Sequence, residues 1–180
     1  MNLDDLRRIG GAAKESAFRL ETLPQYLVPQ EAEMFADWKA GRPMPERTPE
    51  NHEGIARLQR DAARGFRQYR VHILDQPLTP YLRFELYLYF DSVAVGSEVY
   101  VVDRDAHPDL ATLHEDFWLY DDEIGVRMFY DAEGHFLYPE LIDDLEPYRE
   151  MRDTALRHAE PLIDYLVHKG LTRETLRMTG

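Results

Sequence analysis

Residues 69–90, YRVHILDQPLTPYLRFELYLYF, decide the fold of this 180-residue chain. They begin with the alternation of a strand and restart at Thr79-Pro80 with a dense run of aromatic residues. Two interpretations of residues 81–90 are open. A strand places Arg83 and Glu85 on one face, where they could pair, whereas an α-helix separates them by about 200°. We favour the helix, because threonine followed by proline is a good start for a helix.

The segments before this stretch predict a strand and two helices. Residues 1–16 form a helical or loose leader that contains two adjacent glycines. Residues 17–23 alternate like a half-buried strand, and residues 31–39 carry apolar side chains on one helical face. After the proline-rich connector 41–50, we expect a second helix with Thr48 as its N-cap, running into a strand at residues 68–74.

The segments after it predict strands and then a helix. The further strands are expected at residues 98–102, 117–120, 124–130 and 135–141. The last three follow one another closely, which is typical of an antiparallel meander, and Pro139 places the last strand at an edge or ends it. Residues 144–169 predict a long amphipathic C-terminal helix that Pro161 should kink or split. Residues 171–180 form a tail.

These elements predict one α/β domain of the α+β type over residues 1–180. Its core, residues 17–142, would hold a mixed, mostly antiparallel sheet of five or six strands, covered by helices. Hydrophobic residues make up 44% of the chain and charged residues 31%, which is typical of a soluble globular protein. There is no cysteine and no long apolar run, so we expect no disulfide, no thiol chemistry and no membrane span. We expect a cytoplasmic location.

The negative charge is concentrated in the second half of the chain. Residues 81–180 carry 9 Lys and Arg against 22 Asp and Glu, and 9 − 22 = −13 is the whole excess. This negative charge argues against direct binding of nucleic acid, because contacts with phosphate groups need a positively charged surface. Solubility alone would account for the charge. The alternative is an acidic face that binds a basic protein partner.

No known catalytic or metal-binding motif is present. The seven histidines lack zinc spacing, and no glycine-rich phosphate loop or GxSxG motif occurs. The acidic residues at 115–116 and 121–123 could gather Mg²⁺ or Ca²⁺, but acidic pairs are also typical of a tight turn. We therefore predict no catalytic residue, no cofactor and no metal ligand.

Charged residues inside apolar stretches are the remaining candidates. Arg19 and Glu21 share a strand face and could meet Arg83 or Glu85 across the domain. They would form either a structural ion pair or a pocket of aromatic, carboxylate and guanidinium groups for a small ligand or a partner's side chain. The predicted ligand- or partner-binding residues are Arg19, Glu21, Tyr81, Arg83, Glu85, Trp118, Asp121 and Asp122.

Four segments in order, SAFRLET, PLTPYLRFEL, VGSEVYVVDR and DFWLYDDE, resemble an uncharacterised actinobacterial family, domain of unknown function 6879. The resemblance covers residues 15–165. The matching residues are Phe18, Arg19, Leu20, Glu21, Leu78, Tyr81, Arg83, Phe84, Glu85, Phe117, Trp118, Asp121 and Asp122. The family implies no established activity. Its association with small helix-turn-helix regulators implies a regulatory or partner-binding role.

The segments ARGFRQYRVHIL, FWLYDD, IGVRMFYD and HFLYPELI also resemble half of a phospholipase-D-like domain. That superfamily uses a His-x-Lys motif, and no histidine here has lysine two residues later. This resemblance implies a sensor or binding module rather than a hydrolase. We therefore expect a regulatory or interaction module for a protein partner, including a helix-turn-helix regulator, or for a small ligand. The alternative is an enzyme that acts on a small polar substrate in the Arg/Glu/aromatic pocket, in a biosynthetic pathway.

Overall fold

The computed structural model describes residues 1–177 and builds them on a seven-stranded mixed sheet. The strands are β1 Ser16–Glu21, β2 Arg67–Leu74, β3 Glu98–Asp103, β4 Asp116–Tyr120, β5 Ile124–Tyr130, β6 Phe136–Ile142 and β7 Glu160–Pro161. Their order is β6-β5-β4-β1-β2-β3-β7. Strands β1, β2 and β3 are parallel, and the other neighbours are antiparallel. The α+β class and the β4–β6 meander are confirmed, but the sheet is larger and more parallel than predicted.

The helices cover both faces of this sheet. They are α1 Leu3–Ala12, α2 Ala32–Lys39, α3 Glu53–Ala63, α4 Pro80–Ala94, α5 Glu146–His158, α6 Leu162–His168 and α7 Arg173–Arg177. The helical interpretation of residues 81–90 is confirmed. Thr79 is the N-cap of α4, because its Oγ1 accepts a hydrogen bond of 3.1 Å from the Leu82 N–H.

The two faces of the sheet differ in chemistry. One face, which we call the α5 face, packs Phe18 and Leu20 of β1 with Val71 and Ile73 of β2 in a buried apolar core. The other, the α4 face, carries the residues between them, because successive side chains of a strand point to opposite sides. On the α4 face, helices α4, α6 and α7 cover the β3 end of the sheet, and α1 covers part of the β4–β5 end.

Two boundaries in the N-terminal half differ from the prediction. Helix α1 runs through Gly10 and Gly11, and its Leu6 and Ile9 pack on the sheet, so this part of the leader belongs to the folded core. Helix α3 begins after His52, whose Nδ1 accepts a hydrogen bond from the Ile55 N–H at 3.3 Å. The prediction of an N-cap four residues earlier was wrong, because that segment forms a turn instead.

The predicted long C-terminal helix is two short helices. Helix α5 ends at His158, and Glu160 and Pro161 pair with the edge of β3 as β7. Pro161 has no N–H and fixes its φ, so the helix cannot pass through it, and α6 starts at Leu162. The split that the proline indicated is confirmed, and the single long helix is corrected. Within residues 1–177, no helix is long and apolar enough to cross a membrane.

Candidate functional site

Five ionisable residues meet on the α4 face, and we call them the ionic cluster. They are Arg19 and Glu21 of β1, Arg70 and His72 of β2, and Asp116 of β4. The parallel register of β1 and β2 sets Arg19 beside Arg70 and Glu21 beside His72. Residues that lie opposite each other on adjacent strands point to the same face of a sheet, so all five side chains point to the α4 face.

Two ion pairs hold the cluster together. Arg19 Nη2 lies 2.8 Å from Asp116 Oδ2, and Arg70 Nη1 lies 2.9 Å from Glu21 Oε2. A third contact of 3.7 Å joins Arg19 Nε to Glu21 Oε1. Two guanidinium groups thus balance two carboxylates in a largely buried place, where an unpaired charge would be costly.

Tyrosine hydroxyls and Thr22 add further hydrogen bonds, although Arg19 Nη1 stays buried without a partner within residues 1–177. Tyr26 donates to Asp116 Oδ2 at 2.6 Å, and the Thr22 N–H and hydroxyl both donate to Asp116 Oδ1. Tyr89 donates to Glu21 at 3.1 Å, and Tyr130 accepts from Arg19 at 3.1 Å. These bonds tie the cluster to α4, to β5 and to the loop after β1.

The charges follow from these contacts. Burial alone would raise the pKa of Glu21, but Arg70 and Arg19 outweigh it and lower that pKa to about 2. Burial raises the pKa of Asp116 in spite of Arg19, and it lowers the pKa of His72, which favours the neutral imidazole. The ion pair Arg70–Glu21 is therefore firmly ionised at neutral pH.

Glu85 of α4 lies behind the cluster and differs from it. Burial, together with Glu31 and Glu21, raises the pKa of Glu85 to about 8. Its Oε2 is buried and has no hydrogen-bond partner within the described chain. Tyr81, one helical turn away, donates to Glu31 Oε2 at 3.3 Å. Glu85 is therefore a carboxyl that the protein holds largely protonated at neutral pH.

The structure brings some of the predicted site residues together and separates others. Arg19, Glu21, Tyr81 and Glu85 converge on the α4 face. Trp118 lies next to them, with the Arg19 guanidinium 5.4 Å from its ring centroid. Two of the predicted residues therefore belong to the cluster, and three others lie beside it.

The other three predicted residues lie elsewhere. Arg83 points to the opposite side of α4 and donates to two carbonyl oxygens of α7, at 2.9 and 2.6 Å. Asp121 turns the chain after β4 and accepts hydrogen bonds of 2.8 to 2.9 Å from the N–H groups of residues 14–16. Asp122, next to it with a φ of 59°, contacts Arg149 and Arg152 of α5.

Two cavities open beside the ionic cluster. The larger, of about 940 Å³, is lined by Tyr130 and by Arg57 of α3, among others. The smaller, of about 460 Å³, is lined by Tyr26, Glu31 and Tyr81, and we call it the Tyr81 cavity. The cavities share the loop residues 27–29, and both lie within the volume range of small-ligand sites.

Two histidines and an aspartate lie together at the far end of α5. One ligand atom each from His107, Asp109 and His158 lies within 4.8 Å of the other two. The two imidazole rings are stacked, with centroids 3.8 Å apart and planes inclined by 21°. A metal ion would have to lie near the plane of both rings, which this stacking does not allow. We therefore assign no metal to this group.

Strand β6 presents a different kind of surface. It is the edge of the sheet, and no strand within residues 1–177 pairs with its outer side. Leu137 and Leu141 expose 54% and 52% of their surface, and Tyr138 and Ile124 are also exposed. We call these four residues the edge patch. The surrounding segment, residues 131–146, contains six acidic residues and no Lys or Arg.

The comparison with protein families gives one match. The model of a family described as a domain of unknown function, DUF6879, covers residues 4–167. The chain belongs to this family. No curated protein matches it. The family assignment of the DUF6879 chain thus confirms the predicted resemblance without adding an activity.

Several residues of the ionic cluster and its hydrogen-bonding partners were not among the binding residues predicted from the sequence. Arg70 and His72 alternate with apolar residues in RQYRVHIL, and that pattern was a usable signal for a polar strip on a strand. Asp116 drew attention only as part of an acidic run for a hard cation, and its pairing with Arg19 was not predicted, because it is the first residue of β4 and its partner is distant in sequence. Tyr26 and Tyr130 come from a loop and from a strand end, and only the fold brings them to the cluster.

Proposed function

We propose that the protein is a cytoplasmic regulatory interaction module that binds a basic segment of a protein partner along β6. The observation that supports this is the edge patch, in which three of the four exposed apolar side chains lie on β6, whose outer side pairs with no strand within residues 1–177. Natural edge strands are usually protected by charge, twist or cover. An extended segment that adds a strand would bury Leu137 and Leu141 and pair with the backbone.

The charge of this region supports a basic occupant. Glu140 lies between the exposed side chains of β6, and Asp143 and Asp144 follow the strand, all exposed. Pairing with a second copy of the chain would bring these carboxylates against each other, which is unfavourable. Lysine or arginine in the added segment would instead meet the carboxylates.

The identity of the partner follows from the resemblance rather than from the surface. Helix-turn-helix regulators, which the family resemblance implies as partners, carry basic segments for DNA. Most polar groups of the ionic cluster, apart from Arg19 Nη1, are bound to one another or to neighbouring side chains, which favours a binding module over an enzyme. The lack of the His-x-Lys motif supports the same conclusion.

Fluorescence anisotropy with a labelled peptide of alternating lysine and valine tests this proposal. We expect the wild-type protein to bind the peptide and to release it at high salt. The double substitution Leu137→Lys and Leu141→Lys should weaken binding by at least about tenfold, because it removes apolar burial and adds repulsion. A peptide of alternating glutamate and valine should not bind.

Helix α6 supplies the matched control. Ile163 and Val167 expose 44% and 70% of their surface, and Ile163→Lys with Val167→Lys makes the same change of charge and apolarity. This control should bind the basic peptide like the wild type. Equal loss in both double variants would mean that the peptide responds only to net charge, and the proposal would then be wrong.

A further inference from the structure

We propose a second binding site, in the Tyr81 cavity, for a small organic amine whose ammonium group contacts Glu31 and whose apolar body lies on aromatic rings. This site is separate from the β6 edge and does not depend on the proposed function. The cavity has a volume of about 460 Å³, enough for a ligand of the size of one aromatic amine.

The carboxylate of Glu31 supplies the first argument. It lines the cavity, and Tyr81 donates a hydrogen bond of 3.3 Å to its Oε2. It has no ion pair with any cation in the described part of the chain. The basic side chain with the largest effect on its charge, Arg47, is already bound to Asp91 and to the Leu88 carbonyl oxygen. A ligand cation would therefore find an acceptor that the protein has not used.

Glu85 supplies the second argument. It does not line the cavity but lies on α4, one helical turn from Tyr81. Its Oε2 is buried without a partner in residues 1–177, although a buried acceptor without a donor is costly. It faces Glu21 of β1, Arg70 of β2 and Glu31, and of these only Arg70 is a cation. Burial raises the pKa of both Glu31 and Glu85. A nearby ammonium group would reverse this effect and draw protons from the pair.

Aromatic rings shape the rest of the cavity. Tyr26 and Phe35 lie on either side of Tyr81, with ring centroids at 6.0 and 5.5 Å. Ring faces attract organic cations as well as apolar groups. The Lys39 ammonium lies 4.5 Å from the Phe35 ring at the mouth of the cavity, so this ring already holds a primary ammonium group. Lys39 also repels a second cation, and Lys39→Met should strengthen amine binding.

Isothermal titration with three probes of similar shape tests the inference. We expect phenethylamine to bind at about pH 8, where it is still protonated, and 2-phenylethanol and 3-phenylpropionate to bind weakly or not at all. Glu31→Gln should weaken amine binding about tenfold to a hundredfold, which is the loss expected for a charge-assisted hydrogen bond. The control Glu33→Gln changes an exposed neighbour on α2 and should bind normally.

Proton release on binding of the amine distinguishes an electrostatic role of Glu85 in binding from a purely structural role. Titrations in buffers of different ionisation enthalpy should show that phenethylamine binding releases protons near neutral pH, and that Glu85→Gln reduces this release. Equal binding of the amine and the alcohol, or normal binding by Glu31→Gln, would overturn the inference. The lysine variant of the edge patch should keep amine binding, so this site and the β6 edge can fail independently.

Discussion

Arg19 in the ionic cluster exposes 3% of its surface, whereas Leu141 in the edge patch, three strands away in the same sheet, exposes 52%. The usual distribution of charged and apolar residues is thus reversed between these two regions. The cluster lies near the middle of the sheet, where adjacent strands supply an opposite charge for each arginine and carboxylate. The edge patch lies at β6, beyond which residues 1–177 supply no further strand.

This difference shows that position in the sheet, more than residue type, separates structural from interacting surfaces here. A buried charge needs partners within the chain, and Arg19 has Asp116, Glu21 and Tyr130. An exposed leucine on an open strand has no such partners. We therefore expect substitutions in the cluster to act on stability and substitutions in the edge patch to act on binding.

The largest effect is expected for Arg19→Met. Removal of the guanidinium leaves the buried Asp116 carboxylate without its ion pair, which should lower the free energy of unfolding by about 3–5 kcal/mol. Urea denaturation measures this loss. The exposed pair Arg67–Glu98 gives the control, because Arg67→Met should cost about 1 kcal/mol or less. Equal losses in both variants would show that the cluster is no more important to the fold than a surface ion pair.

An intermediate effect is expected for Glu85→Gln, and it depends on pH. The pKa of Glu85 in the folded state is raised to about 8, while the unfolded chain loses this proton near pH 4.3. The folded state therefore binds more protons between these values, and the wild type loses stability as pH rises from about 5 to about 8. Glu85 contributes a slope of up to about 1.4 kcal/mol per pH unit.

Urea titrations across this pH range check the prediction. The difference between wild type and Glu85→Gln isolates Glu85, because Glu31, Asp116 and His72 titrate in both proteins. The variant should have the flatter profile and should gain relative stability toward pH 8. Parallel profiles would mean that Glu85 is ionised at neutral pH, and its proposed role in amine binding would lose its support.

The smallest effect on stability is expected in the edge patch. Leu137→Lys with Leu141→Lys should change the free energy of unfolding by less than about 0.5 kcal/mol for each substitution, because both residues are exposed over about half of their surface and the aliphatic part of lysine can replace the remaining contacts. Thermal denaturation measures this change. A large loss of stability would show that these leucines contribute to the folded core, and the edge patch would then not differ from the ionic cluster in its effect on stability.

Local patterns in the sequence were enough to place most elements of the sheet core. The pair Thr79-Pro80 indicated the start of α4, and Pro139 and Pro161 indicated an edge strand and a break in a helix. Each of these signals acts within a few residues through proline geometry or capping. The order of the strands was not predictable in this way, because pairing of β1 with β2 and β4 depends on distant segments.

The site was predictable only in part for the same reason. Alternation placed Arg19 and Glu21 on one strand face, and the cluster indeed contains both. Their partners Arg70 and Asp116 lie 49 and 97 residues further along the chain, and no local pattern selects them. The edge patch was missed because exposed leucines have no sequence signature until the unpaired side of β6 is known.

Hydrogen exchange with and without the lysine–valine peptide would locate the bound peptide on the sheet. We expect bound peptide to slow exchange of the outer amides of β6, within residues 136–142, and to leave the amides of β1 beside the ionic cluster unchanged. The lysine variant of the edge patch should lose this protection. Protection at β1 or α4, with none at β6, would contradict the account and would move the binding surface to the ionic cluster.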